Sequence, residues 1–333
     1  MEPMVQLSKR EERILRSLLD YLVSGKHEQG ERWQEGQITR ITGGWCNLLY
    51  RVTNSLGDLA VKFVIRDKRD RAGREHDALL ALSQAGISVA PEPLLLDRNS
   101  YAQPVVVQTW LEGEVSGGLP STDAEWERLL QHLATVHSVT PKKTSVRLQR
   151  AVLDANSVEE GRRIVWQQMA ILPQKAQPTS LQELMRRFET TDFPGWSEVA
   201  VALCRVDNNI LNFIRRPGVW ASVDWENGGW GDPAFEIAQL MTHPAYMRVP
   251  SWRWEWVVET YCGMVGGKAV ARRIWVYYRI LVVWWVARVA RYLYEFPRGL
   301  DKRLVDRPDG WETDMKAKYE HYLSLAEGLY AVY

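Results

Sequence analysis

The segment of residues 204–233 constrains the fold more than any other part of the chain, because it spaces polar residues that can act together. Asp207 is followed five residues later by Asn212, and Asp224 ends the short apolar run 219–223. A divalent-metal phosphoryl-transfer site needs one carboxylate to take the acceptor's proton, and an amide and a second carboxylate to hold the metal. Asp and Asn are also common turn residues, so this spacing alone fits an ordinary loop as well.

The sequence immediately after Asp224 is more specific. A Gly-rich turn comes next, and the tripeptide 231–233 then opens an apolar segment. The whole segment resembles the catalytic and metal-binding segment of the aminoglycoside phosphotransferase and choline kinase superfamily, which are small-molecule relatives of the protein kinases. This resemblance implies that Asp207 is the catalytic aspartate, which takes the acceptor's proton. It also implies that Asn212 and Asp224 bind the metal, and that Asp232 is a buried acid bracing the catalytic loop.

The region before residue 66 indicates antiparallel strands. Residues 36–65 alternate as strand, Gly-rich loop, strand, turn and strand, with Lys62 on the third strand. Gly43 and Gly44 allow the backbone to lie close to a ligand, although a Gly-Gly pair by itself fits a plain hairpin better. The resemblance implies that Lys62 contacts the nucleotide phosphates and pairs with Glu75 on the following helix.

The strongly β-branched run 105–107 predicts a buried strand, and the chain changes character at residues 111–113. We interpret this change as the hinge between two lobes. The backbone from Gln108 to Trp110 is then expected to hydrogen-bond the adenine ring. An ordinary transition from strand to loop is the alternative.

These patterns predict an α+β, two-lobed protein-kinase-like fold. A mostly antiparallel β N-lobe spans residues 1–110 and a helical C-lobe spans residues 111–333. The N-lobe begins with a helix over residues 8–23, where Ser8 and Glu11 form a capping box. His137 ends a predicted helix, and a lone histidine there favours a structural role.

Composition excludes several classes of function. The formal net charge of +1 provides no basic field for nucleic acid. The three cysteines are scattered without a CxxC pair, so they indicate neither a disulfide framework nor a zinc site. We expect a cytoplasmic protein, because the first residues show no apolar signal-peptide core.

The run 274–294 is the one place where a membrane span is arguable. Arg279, Arg288 and Arg291 interrupt it, and each is costly at the centre of a bilayer. We therefore predict a buried amphipathic helix and no membrane partner. A membrane-associated protein remains the least favoured hypothesis.

Two positions depart from the family pattern. Arg205 stands where members usually have histidine, and an arginine donates hydrogen bonds but accepts none. We predict that Arg205 braces the catalytic loop. Asn209 stands where many members carry a second histidine, and an amide there is closer to the choline kinases. Both departures leave open a second hypothesis, a nucleotide-binding pseudokinase that acts as a regulatory or interaction module.

The favoured function is transfer of the γ-phosphoryl group of ATP or GTP, with Mg²⁺, to a hydroxyl of a small molecule. The acceptor classes are an amino alcohol, an amino sugar or an aminoglycoside-like compound. The C-terminal third mixes aromatic residues with many arginines, which weakens the aminoglycoside choice, because polycationic acceptors favour acidic pockets. The expected partners are the nucleotide and the acceptor, and the sequence does not indicate an oligomeric state.

Overall fold

The computed structural model describes residues 7–25, 30–42, 47–115, 117–300, 304 and 309–331. The Gly-rich loop predicted at Gly43 and Gly44 lies outside these residues. Within them, the first part of the chain forms a six-stranded sheet in the order β1-β2-β3-β4-β6-β5. Its strands, all paired antiparallel, are β1 (Glu31–Trp33), β2 (Gly36–Ile41), β3 (Leu48–Asn54), β4 (Gly57–Phe63), β5 (Pro93–Asp97) and β6 (Val105–Thr109).

Helices cover both faces of this sheet. Helix α1 (Lys9–Ser24) begins at the predicted capping box, where Ser8 accepts from the N–H of Glu11 and the Glu11 side chain accepts from the N–H of Ser8. Helix α2 (Arg71–Gln84) packs against β5 and β6. Alternate side chains of a strand point to opposite faces. Val105 and Val107 accordingly join the cluster of α1, and Val106 joins that of α2.

Four residues, 110–113, connect β6 to the second part of the chain. There a three-stranded sheet has the order β10-β9-β7, and β8 pairs with β11. These strands are β7 (Glu114–Val115), β8 (Ala202–Cys204), β9 (Phe213–Arg215), β10 (Ala221–Ser222) and β11 (Gly229–Gly231). Gly113 has φ +145°, and a Cβ there would collide with the side chain of Ile214. A glycine is therefore needed where the chain passes from one sheet to the next.

The rest of the described chain is helical. Its helices are α3 (Asp123–His137), α4 (Val158–Ile171), α5 (Thr179–Thr190), α6 (Pro233–Thr242), α7 (Ser251–Val265), α8 (Lys268–Glu295) and α9 (Trp311–Leu329). Short 3-10 turns lie at Gln174–Ala176, Ile210–Asn212, Pro244–Tyr246 and Phe296–Arg298. Helix α8 contains the predicted run 274–294, and it packs against α4, α6 and α9. Among the described residues, no helix has both the length and the apolar character needed to cross a membrane.

Candidate active site

The loop that carries Asp207 is held from behind by Glu236 of α6. The Glu236 carboxylate accepts hydrogen bonds from the N–H of Arg205 at 3.0 Å and from the N–H of Val206 at 2.8 Å. The carboxylate also contacts His137, whose Nε2 lies 2.8 Å from Oε2. Burial opposes ionisation of this carboxyl, but the contact with His137, the charge of Arg205 and the hydrogen bond from Val206 together outweigh it and lower the pKa of Glu236. The loop is thus anchored through its backbone to an ionised, buried acid.

Asp207 follows this anchor, and its carboxylate accepts a hydrogen bond from the N–H of Asn209 at 3.2 Å. Partial burial raises the pKa of Asp207, and the charge of Asp224 raises it further. The N–H of Val223 donates to the carbonyl of Asn212 at 2.9 Å, which joins the end of β10 to the end of the Asp207 loop. The structure therefore brings together the two acids and the amide that the sequence singled out.

Lys62 of β4 lies among three carboxylates, and we call Lys62, Glu75, Asp224 and Glu226 the lysine cluster. The ion pair predicted with Glu75 is present, with Lys62 Nζ donating to Oε2 at 2.7 Å. Nζ also donates to Asp224, and it lies 3.6 Å from Oε2 of Glu226. Burial alone would lower the pKa of Lys62, but the three carboxylates raise it well above its ordinary value. Lys62 is therefore a buried, permanently charged ammonium.

The acids of the lysine cluster differ in their affinity for a proton. Burial raises the pKa of Glu75 to about 7 in spite of Lys62. Burial also opposes the charge of Asp224, but Lys62 and the charges of Arg205 and Arg71 together outweigh it, and the pKa of Asp224 is lowered. Asp224 stands at φ +64°, a left-handed conformation that Asp tolerates better than most residues. The most acidic member of the cluster is therefore Asp224, the one whose charge acts on Asp207.

Glu226 is a member of the cluster that the sequence patterns did not reveal. Its carboxylate accepts hydrogen bonds from Asn47 at 2.5 Å and from the guanidinium of Arg71. The side-chain oxygen of Asn47 in turn accepts from the N–H of Ile65 at 3.2 Å. Glu226 thereby connects the turn after Asp224 to Asn47, directly before β3, and to the first residue of α2. Its signal was an acid two residues beyond Asp224, directly after the buried Trp of that turn.

The donor set near Asp224 fits magnesium. Carboxylate oxygens of Glu75, Asp224 and Glu226 lie within 4.8 Å of one another, but they surround Nζ of Lys62, which is already their counter-charge. The candidate ligands are therefore the partly exposed Asp224 and Asn212, whose carbonyl accepts from the N–H of Val223. Carboxylate and amide oxygens are the hard ligands that Mg²⁺ prefers. Asp224 is the open member of the set, since 31% of its side chain is exposed.

Arg205 is buried, with 1% of its surface exposed, and lies behind the loop. Its Nη1 donates to the carbonyl of Val223 at 3.3 Å, and its guanidinium stacks over the ring of Phe213 at 4.7 Å. Nε and Nη2 make no hydrogen bond within the described part of the chain. No carboxylate of the described residues lies within ion-pair distance of this guanidinium. These contacts tie the loop to the strand that ends before Asp224.

Asp232 contacts other parts of the chain than the Asp207 loop. It caps α6 by accepting from the N–H of Ala234 at 2.9 Å, and it accepts from Nε of Arg273 at 2.9 Å and Nη2 at 3.1 Å. Its own N–H donates to Asp154 at 2.9 Å. Asp232 thus fixes the start of α6 against α8, whereas the direct contacts with the loop backbone come from Glu236, one turn further along α6.

The predicted base-binding segment lies at the end of β6. Gln108 is buried and pairs across the sheet with Ala60. The N–H of Trp110 donates to the carbonyl of Asp58 at 2.8 Å, and the N–H of Thr109 donates to Glu92 at 3.0 Å. These two N–H groups are therefore occupied by the sheet and not available to a nucleotide base.

The turn after the lysine cluster is closely packed. Gly229 opens β11, and a Cβ at this position would collide with the carbonyl of Gln149 and lie 2.7 Å from the nitrogen of Ala151. Residues 149–151 cross over β11 and are hydrogen-bonded to it. The N–H of Trp230 donates to the carbonyl of Gln149 and the N–H of Ala151 donates to the carbonyl of Trp230, both at 3.0 Å. Only a glycine fits beneath this crossing.

Solved structures share this architecture over almost the full chain. A choline/ethanolamine kinase family protein from Mesorhizobium loti has 18% identity and a TM-score of 0.58, covering 95% of this chain and 99% of its own. Spectinomycin phosphotransferase, in complex with ADP and spectinomycin, has 12% identity and a TM-score of 0.61, with 94% and 97% covered. Wild-type aminoglycoside 2'-phosphotransferase-IIIa, in complex with GDP, has 13% identity and a TM-score of 0.58, with 95% and 99% covered.

The class of the protein follows from these likenesses, which confirm the predicted two-lobed, protein-kinase-like α+β fold. Residues 37–272 match the model of the phosphotransferase enzyme family. The chain belongs to this family, as its sequence resemblance implied, and is a phosphotransferase of the small-molecule type. No curated protein sequence matches it significantly.

Proposed function

We propose that the chain transfers the γ-phosphoryl group of ATP or GTP, with Mg²⁺, to a hydroxyl group of a small molecule. The observation that carries this proposal is the lysine cluster, in which Lys62 contacts Glu75 and Asp224 at once. This contact supports a role for Lys62 in holding phosphates beside Asp224, a carboxylate that can hold metal. The neighbouring loop presents Asp207, whose raised pKa suits a group that receives a proton.

Each residue has a distinct task in this proposal. Lys62 holds the phosphates and is oriented by Glu75, while Asn212 and Asp224 bind magnesium. The metal, when bound, neutralises the charge that develops on the transferred phosphoryl group. Asp207 orients the acceptor hydroxyl and takes its proton.

The remaining site residues support the nucleotide and the loop. Gly43 and Gly44 are proposed to lie against the phosphates, and the backbone from Gln108 to Trp110 to lie against the base. The N–H of Trp110 is already hydrogen-bonded within the sheet, so it is not the donor to the base. The base is instead proposed to hydrogen-bond carbonyl groups of this strand or backbone groups of the residues that follow it. Arg205 braces the loop directly. Asp232 braces it through α6.

The acceptor is proposed to be an amino alcohol, an amino sugar or an aminoglycoside-like compound. The similar structures are named for choline or ethanolamine, spectinomycin and aminoglycosides, and two of them were solved with ADP or with GDP. The test is a screen of ATP and GTP against choline, ethanolamine, amino sugars, aminoglycosides and nucleosides, measuring acceptor-dependent release of the nucleoside diphosphate. Asp207→Asn should lower turnover by about a hundredfold or more and leave nucleotide affinity nearly intact.

The metal assignment has a separate test. ADP should raise the melting temperature more in magnesium than in EDTA, because a ligand that binds only the native state stabilises it. Asp224→Ala should abolish this magnesium-dependent increment, whereas Glu312→Gln, on an exposed side chain of α9, should retain it. Wild-type protein that binds nucleotide but turns over no acceptor would favour the pseudokinase, a state consistent with the direct contact between Lys62 and Asp224.

A further inference from the structure

His243 faces Asp207 from the opposite end of the helix that anchors the loop. It follows α6 directly and begins the short turn Pro244–Tyr246, so α6 positions both Glu236 and His243. Nε2 of His243 lies 3.6 Å from Oδ1 of Asp207. The two side chains are 19% and 30% exposed, so both reach the surface at the same place. A small molecule that approaches Asp207 therefore also meets His243.

The hydrogen bonds of His243 define which nitrogen carries the proton. The N–H of Ala245 donates to Nδ1 at 3.2 Å, and a backbone N–H can only donate, so Nδ1 supplies a lone pair. Burial lowers the pKa of His243 to about 3, and the charges of Arg205 and Lys318 act in the same direction. The ring is accordingly neutral at pH 7, and its single proton is on Nε2. The atom that faces Asp207 is a hydrogen-bond donor.

Aromatic neighbours fix the orientation of this ring. The ring of Tyr246 lies at 6.2 Å and 74° to that of His243, and the ring of Trp285 at 6.1 Å and 86°. Trp285 is itself stacked on Tyr322 at 5.4 Å. Edge-to-face contacts of this kind restrict rotation of an aromatic ring. The direction of the Nε2–H bond is therefore set before any acceptor binds.

We propose that His243 binds the acceptor, with Nε2–H donating to the oxygen of the same hydroxyl that donates its proton to Asp207. This inference rests on the proposed function. A separation of 3.6 Å is long for a direct hydrogen bond, but an oxygen about 2.8 Å from both atoms bridges them. A hydroxyl has one proton to donate and two lone pairs to accept with, so it satisfies both side chains.

The proton balance of the transfer is complete with these residues. The acceptor oxygen forms a bond to the γ-phosphorus, the bond from that phosphorus to the bridging oxygen breaks, and the hydroxyl proton passes to Asp207. His243 keeps its proton throughout and holds the oxygen in line. An ammonium group has three donors and no lone pair, so it cannot accept from Nε2–H. His243 thus selects a hydroxyl over an amine at the reacting position.

Two substitutions separate the donor role of His243 from its structural role. The amide oxygen of His243→Asn matches Nδ1, so it retains the hydrogen bond from Ala245 but does not reach Asp207. The amide nitrogen of His243→Gln matches Nε2 and presents an N–H towards Asp207. The probe is hydrolysis of Mg-ATP with water as the acceptor, followed by transfer to ethanolamine, since both have a hydroxyl-type oxygen.

We expect His243→Asn to lower kcat for both acceptors by about tenfold or more, with the KM for ATP within about twofold of wild type. His243→Gln should restore the rate to within about threefold of wild type. The idea fails if His243→Asn turns over as wild type does, or if both variants lose the same amount. Wild-type protein without turnover on any acceptor would instead remove the proposed function itself.

A measurement without turnover tests the same geometry. The sequence contains six histidines, and nitrogen-15 spectra of the imidazole rings at pH 7 assign His243 as the signal missing in His243→Gln. A neutral ring with its proton on Nε2 is expected. A cationic ring, or a proton on Nδ1, would overturn the proposal whatever the kinetics show. Melting temperatures of both variants serve as the control for folding.

Discussion

Lys62 and Arg205 are both buried bases next to Asp224, since Lys62 contacts its carboxylate and Arg205 the carbonyl of Val223 before it, but their charges are compensated in opposite ways. Lys62 has three carboxylates around its ammonium, at most 3.6 Å away. Arg205 has a carbonyl and an aromatic face, and two of its guanidinium nitrogens make no hydrogen bond among the described residues. The comparison indicates that the lysine acts through direct ion pairs, whereas the arginine acts through packing and one hydrogen bond, with a charge that reaches Asp207 and Asp224 without an ion pair.

The largest expected effect on stability comes from removing the positive charge of Lys62. Lys62→Met should destabilise the protein by about 3 kcal/mol, because it leaves buried acids without their counter-charge. Adding Glu75→Gln should recover part of that loss, since Glu75 is the fully buried partner. Urea unfolding of the single and double variants measures both. A loss below about 1 kcal/mol for Lys62→Met would mean that the charge is not what stabilises this site.

A smaller effect is expected at Arg205, because no ion pair is broken there. Arg205→His should cost about 1–2 kcal/mol of stability, from lost packing on Phe213 and one lost hydrogen bond. Turnover should stay within about threefold, since the guanidinium bonds to the carbonyl of Val223 and to no carboxylate of the described residues. Kinetics and melting temperature together decide this. A large loss of turnover in a fully folded variant would show that the positive charge takes part in the transfer.

The region behind the loop should also respond to acid. His132 is fully buried beside Phe213, and its Nδ1 bonds the carbonyl of Trp220 at 2.8 Å. Burial lowers its pKa to about 3, and Arg205 adds to this. The unfolded chain takes up a proton near pH 6.5, but the folded chain does not, so stability is complete above that pH and falls towards pH 3. The slope is about 1.4 kcal/mol per pH unit for this group.

Urea unfolding at about pH 7.5 and about pH 5.5 measures that slope. His132→Asn keeps a donor for the carbonyl of Trp220 but does not titrate in this range. The difference in stability between the two pH values should therefore be about 1 kcal/mol smaller in the variant than in wild type. Equal differences would mean that His132 takes up its proton in the folded protein.

The smallest effect on stability is expected from relieving the unfavourable backbone conformation of Val206. Val206 has φ +76°, a conformation that is unfavourable for a β-branched residue by about 1–2 kcal/mol. Val206→Gly should stabilise the protein by about 0.5 kcal/mol, the remainder being offset by the greater freedom of glycine when unfolded. Val206→Ala, which keeps a Cβ, is the matched control. Equal stability of the two variants would place the cause in the side chain and not in φ.

Local patterns were sufficient for the fold and for part of the candidate site. Lys62 and Glu75 lie on consecutive elements, and the capping box at Ser8 is a pattern within one turn. Asp207 and Asp224 sit in one short segment whose order of strand, turn and helix is specific. Each of these predictions depended on residues close together in the chain, where spacing carries the information.

The residues that were missed act over longer separations in sequence. Glu236 meets the Asp207 loop from α6, and its only signal was an acid within an otherwise apolar helix. Asp232, four residues earlier, caps the start of the same helix, and its bracing of the loop through α6 stays a prediction. His243 has no motif at all. Its position near Asp207 depends on how α6 packs against α8, and this packing cannot be predicted from residue spacing in the sequence.

Gly229 shows how a position without chemistry can be as intolerant of change as the site itself. The strand passes directly beneath the crossing segment at Gln149 and Ala151, so every side chain collides with backbone atoms there. In a library of all single substitutions we expect Gly229 to be as depleted as Asp207. The depletion of a variant in such a library would not distinguish a residue that contacts the reactants from one that must be small for the chain to pack. Only assays on purified, folded variants separate the two kinds of necessity.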